Sequence, residues 1–76
     1  MKLPRVTGNK VVSALKRGGF VEIRTRGSHC HLYHEQKNRL VTVPVHSGKT
    51  IAPKTLKSIL KHTGITVEEF VGLLQR

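Results

Sequence analysis

Three rhythms of apolar and polar positions run along the chain. In the first, Val11, Val12 and Leu15 recur at helical spacing with Ala14 beside them, while Lys10, Lys16 and Arg17 fall elsewhere. Thr7 or Asn9 offers the side-chain oxygen that caps such a helix, and Gly18-Gly19 stops it near Arg17. The second rhythm has period two. In "FVEIRTR", 20–26, Val21, Ile23 and Thr25 are predicted to point inward, with Glu22, Arg24 and Arg26 on the other side of a half-buried strand. Gly27-Ser28 forms a tight turn, and the alternation resumes in "HCHLYH". Cys30 and Leu32 are predicted to face inward there, and His29, His31 and Tyr33 to share the outer face. A polar turn at 36–38 leads to a third strand, "RLVTVP", 39–44, closed by Pro44, which cannot donate to a ladder.

The third rhythm is helical again. Pro53 opens a helix over about 53–63 with Gly64 after its end, although Ala52 is a poor N-cap. Leu56, Ile59 and Leu60 form its apolar stripe, and Lys54, Lys57 and Lys61 line up on another face. Thr66 and Glu69 have capping-box spacing and open a short helix to about Leu74, with Val67, Phe70, Val71 and Leu74 as its apolar positions. The predicted fold is α+β, ordered α-β-β-β-α plus a short C-terminal helix. Its three-stranded antiparallel sheet carries the helices on one face. The other face displays Arg24, Arg26, His29, His31 and Tyr33.

Length and charge then restrict what that face can do. A chain of 76 residues reads as one domain over 1–76, and at this size folding removes only ~60% of the unfolded surface from water. A deep cavity between domains is out of reach, so chemistry belongs on a shallow surface. Fourteen Lys and Arg against four acidic residues, none of them aspartate, give a net charge of +10. Self-repulsion of that size points to a polyanionic partner, and nucleic acid is the usual one for a small basic domain. No apolar run approaches the ~20 residues of a membrane span, and no long basic amphipathic helix suits a bilayer surface. "MKLPRVTGNK" has no apolar signal core, and a lone Cys30 forms no internal disulfide, so a cytoplasmic location is expected.

The stretch "GSHCHLYH", 27–34, concentrates the candidate chemistry. As a metal site it is poor. Cys30 points away from its two neighbours, no paired zinc-ligand spacing is present, and supporting carboxylates are scarce, so no metal or other cofactor is expected. His34 and His62 read as solvated residues. His29 is different, because it follows a tight turn beside two arginines. Arginine clamps phosphate with paired hydrogen bonds, and imidazole moves protons near neutral pH. RNA supplies its own nucleophile, the 2′-hydroxyl, so an enzyme need only move protons and stabilise the charge that builds on phosphorus. RNA cleavage and plain RNA binding are both open on this chemistry.

The run "ALKRGGFVEIRTRGSHCHLY", followed by "VTVPVHSGKTIAPKTLKSILKHTGI" and "TVEEFVGLL", resembles the HicA family of toxin ribonucleases. The resemblance covers about Thr7 to Leu74. It keeps a helix ending in Gly-Phe, a strand into Gly-Ser-His, a Val-Pro-x-His segment and a helix ending in Gly-Ile, in that order. It implies a double-stranded-RNA-binding-domain-like fold, metal-independent cleavage of mRNA, and neutralisation by a HicB-like antitoxin. The histidine of Gly-Ser-His, here His29, is implied as the catalytic one. Many members carry a second histidine immediately after it, where this chain has Cys30, and Pro53-Lys54 replaces a frequent Pro-Gly. Tyr33 and His46 fall in recurrent positions.

The expectation is therefore a toxin endoribonuclease with His29 as general acid or base. Arg24, Arg26 and Ser28 would contact the phosphate, and Lys54, Lys57 and Lys61 would follow the backbone. His31, Tyr33, His46 or water would supply the second proton-transfer group. A non-catalytic double-stranded-RNA binder is the main alternative, and a module for acidic protein surfaces is a third.

Overall fold

The computed structural model describes residues 3–76; Met1 and Lys2, which begin the N-terminal stretch read above, lie outside the described residues. Six elements follow in order: α1 (Gly8–Arg17), β1 (Val21–Arg26), β2 (His29–His34), β3 (Arg39–Pro44), α2 (Pro53–Thr63) and α3 (Val67–Leu74). The strands form one antiparallel sheet in the order β1-β2-β3. The caps follow the sequence. Thr7 accepts the Lys10 amide at the start of α1, Ala52 gives α2 no side-chain cap, and Gly64 ends α2 in the left-handed region. Thr66 and Glu69 make a reciprocal capping box at α3. No helix among the described residues is long and apolar enough to cross a membrane.

One core lies between the sheet and the helices. Cys30, Leu32, Val41 and Val43 supply the sheet's inner side, and Val11, Leu15, Leu56, Ile59 and Phe70 close over them. Each large apolar side chain buried this way contributes roughly 1.5–3 kcal/mol relative to exposure. On α3, Val67, Leu73 and Leu74 pack partly against the core. Helix α1 approaches the sheet closely at its first residue, because a Cβ on Gly8 would press into the Pro44 carbonyl oxygen. That contact lies behind the end of β3, where Pro44 pairs with His29.

Two expectations are corrected. Strand β1 is exposed along its whole length, with Val21 at 63% and Ile23 at 57%, and does not alternate as a half-buried strand. It is an edge strand, and a bulge between Glu22 and Arg24 breaks its pattern: Ile23 has no partner, so the alternation slips by one residue. Glu22 pairs with inward-facing Leu32, whereas Val21, Arg24 and Arg26 pair with outward-facing Tyr33, His31 and His29. Glu22 consequently sits on the helix side, ion-paired to Lys16 at 3.2 Å and accepting a 2.8 Å hydrogen bond from the Thr25 hydroxyl. The second correction is His34, which is buried and not solvated. It follows Cys30 and Leu32 on the inner side, where its ring meets Phe20 edge-on at 5.0 Å and its Nδ1 accepts the Lys37 amide at 3.1 Å. Burial of an imidazole is tolerated when its polar atom is hydrogen-bonded in this way. His62 is exposed, and its Nδ1–H donates to the Ser58 carbonyl.

Candidate nucleic-acid interface

The open face of the sheet is built by register. Gly27 adopts φ +55, the left-handed conformation that glycine tolerates at a two-residue hairpin turn, and this turn sets Arg26 directly opposite His29. Arg24 pairs with His31 by the same ladder. Cross-strand partners share a face, so both arginines and both histidines lie on the side away from the helices. Arg24, Arg26 and His29 are exposed, and His31 is half-buried. Neither arginine has a carboxylate partner among the described residues. The bulge reinforces this, since it carries Glu22, the strand's one acidic residue, to the opposite side.

The third strand completes the cationic end. Pro44 lies beside His29 and Thr42 beside His31. Thr42 Oγ1 and His31 Nδ1 are 2.8 Å apart, a hydrogen bond that fixes the ring. Sequence reading missed Thr42, although the outward alternation of "VTVP" carried a signal for it. The ladder continues past Pro44, because the Val45 amide donates to the Ser28 carbonyl. Half-buried Ser28, in the turn that precedes His29, is thus tied to Val45, the residue before exposed His46.

Other candidates are set apart. Tyr33 lies four residues from His29, ~13 Å along the strand. It pairs with Val21 and Leu40 at an apolar end of the face, and its hydroxyl donates to Asn38 Oδ1 at 2.7 Å. Lys54 joins Leu40, Thr42 and Ser58 in lining an open groove of ≈ 430 Å³ between β3 and α2. Lys57 and Lys61 are exposed on α2 but do not line that groove. Cys30 turns inward, and burial pushes its thiol pKa up, with the nearby Glu22 carboxylate adding to the shift. A buried, protonated thiol is a poor nucleophile and a poor metal ligand. Among the described residues, no three His, Cys, Asp or Glu side chains converge to hold a metal ion.

This arrangement can place an anion between Arg24 and Arg26 and expose it to two imidazoles. Compared with known families, the chain is similar to the one described as the HicA toxin of bacterial toxin–antitoxin systems, whose model matches residues 8–65. No curated protein sequence gives a significant match.

Proposed function

The chain belongs to the HicA toxin family of bacterial toxin–antitoxin systems, and from that premise we propose that it is an endoribonuclease that cleaves mRNA with His29 as its principal catalytic residue. The observation that carries this reading is the pairing of His29 with Arg26, and of the adjacent His31 with Arg24, on the side of the sheet away from the helices. The arginines would hold the scissile phosphodiester and offset the charge that builds on its oxygens. His29 would take the proton from the 2′-hydroxyl as that oxygen attacks phosphorus. Ser28, in the turn, and Lys54, on the groove beside Thr42, would contact the flanking backbone. Lys57 and Lys61 would add longer-range attraction for the polyanion.

A HicB-like antitoxin is the proposed neutralising partner. With the toxin at +10, an acidic partner that covers this face would exclude RNA. The cytoplasm, where mRNA is found, is the proposed location.

The test compares cleavage of one RNA by the wild-type protein and His29→Ala, with RNA affinity and circular dichroism measured in parallel. The variant should lose ~10²–10⁴ in rate. Because the side chain is exposed, stability should change by no more than about 0.5 kcal/mol. Adding the cognate antitoxin to the wild type should suppress cleavage. Full cleavage by His29→Ala would remove this histidine from the mechanism. Tight RNA binding without cleavage by the wild type would instead leave a double-stranded-RNA-binding module.

A further inference from the structure

Only one side-chain hydrogen bond among the described residues lies at the cationic end of the open face, and it joins Thr42 to His31. We propose that His31 is the second proton-transfer group of the cleavage reaction, positioned by Thr42, and that it protonates the leaving 5′-oxygen while His29 deprotonates the 2′-hydroxyl. The proposal rests on the reading of His29 given above.

Placement is the first argument. His29 and His31 are alternate residues of one strand, so they share a face with their Cα atoms ~7 Å apart. In an in-line displacement the attacking and leaving oxygens lie on opposite sides of phosphorus. Each must come within about 2.6–3.2 Å of its own proton acceptor or donor. One imidazole cannot serve both sides in the same step, whereas two at this spacing bracket a single phosphodiester. Each has an arginine directly across the ladder, Arg26 for His29 and Arg24 for His31. The phosphate would therefore be gripped between the two proton-transfer groups.

The partner of His31 is the second argument. A hydroxyl oxygen can accept as well as donate. In the charged ring Nδ1–H donates to Thr42 Oγ1, and Nε2–H is free to leave. The neutral ring that remains after Nε2 gives up its proton keeps Nδ1–H on Thr42. The ring stays oriented through the whole proton cycle, with Nε2 as the transferring atom. A carboxylate in this position would favour the charged form and hold the proton back. His29 is more exposed, and no side-chain hydrogen bond holds its ring among the described residues.

The step balances. The P–O2′ bond forms as the P–O5′ bond breaks, the 2′ proton passes to His29, and a proton from His31 Nε2 passes to O5′. The products are a 2′,3′-cyclic phosphate and a free 5′-hydroxyl. Proton exchange with water returns both rings to their starting states.

The experiment uses the full chain and an oligoribonucleotide cut by the wild type, resynthesised with sulfur in place of the bridging 5′-oxygen at the mapped linkage. A thiolate leaves without needing a proton. His31→Ala, and His31→Gln as a variant closer in shape, should lose ~10²–10⁴ on the oxygen substrate. Both should be largely restored on the sulfur substrate, whereas His29→Ala should be restored on neither. Thr42→Val should lower kcat roughly two- to tenfold with KM unchanged and shift the alkaline limb of the kcat–pH profile. Thr42→Ser should recover both. If His29→Ala is inactive but the His31 variants keep the wild-type rate, or lose equally on both substrates, the assignment of His31 is overturned. If His29→Ala keeps full activity, it is the underlying reading of His29 that fails.

Discussion

Strand β2 carries histidines on both of its faces, and the two sets have opposite surroundings. On the helix side, His34 is packed against Phe20 and its Nδ1 is occupied by the Lys37 amide. On the open side, His29 faces solvent beside Arg26, and His31 presents one nitrogen while Thr42 engages the other. The residue type is the same, and the spacing along the strand differs by a few positions. What differs is access. A sealed imidazole acts as a core side chain that also caps a turn, whereas an open one beside cations can exchange protons with a bound anion. Counting histidines in a motif does not identify a site until the strand's two faces are assigned.

Predictions that break this comparison begin with the sealed face. Leu32→Ala, at a fully buried position, should destabilise by about 2–5 kcal/mol, read as a lower urea midpoint, while any RNA cleavage per folded molecule is unchanged. Activity lost in the fully folded variant would mean that the two faces are not independent. Gly8→Ala, which drives a methyl group toward the Pro44 carbonyl behind His29, should cost about 1–3 kcal/mol, and an unchanged melt would show that α1 can shift to accept it. On the open face, Arg26→Ala should alter stability by no more than about 0.5 kcal/mol. It should flatten the slope of log affinity for RNA against log salt by about 0.7–0.9, as one lost phosphate contact does. The same slope as wild type would exclude Arg26 from the backbone contacts.

The smallest effect concerns Glu22. The Thr25 hydrogen bond, followed by Lys16, holds its carboxyl below the ordinary value of 4.5. Because the folded-state value is the lower one, the stabilisation is present above the ordinary value and disappears as pH falls through the depressed one. Glu22→Gln should therefore melt slightly below wild type at neutral pH, and the gap should close in strong acid. A gap that is independent of pH would rule out the charge as its source.

Much of this was legible in the sequence. The boundaries of α2 and β3, the Thr66–Glu69 capping box and the outward set on β2 all follow from periodicity and local caps, which depend on neighbours within a few residues. The bulge at Ile23 was not legible, since "FVEIRTR" alternates without interruption and contains no glycine or proline to mark a slip. His34 stood in phase with Cys30 and Leu32, but its partners come from Phe20 and the Lys37 backbone, outside the strand. The contact between Thr42 and His31 needed the register of β3 against β2. The lysine stripe on α2 was correctly spaced, yet which of its members would border the groove depended on how the helix packs against β3. The elements and their antiparallel sheet were readable; the bulged register and the packing of α2 on β3 were not.

The bulge also bears on how copies of this chain treat one another. Strand β1 forms one edge of the sheet, and its outer row of amide and carbonyl groups offers a template to any other strand. Exposed Val21 and Ile23 would make such an edge adhesive if the strand were flat. An unpaired residue in mid-strand increases the local twist and breaks the even spacing that a docking strand requires. Arg24 and Arg26, just beyond it, add like-charge repulsion between approaching copies. The slip that takes Glu22 to the helix side therefore also guards the edge against edge-to-edge association into ribbons.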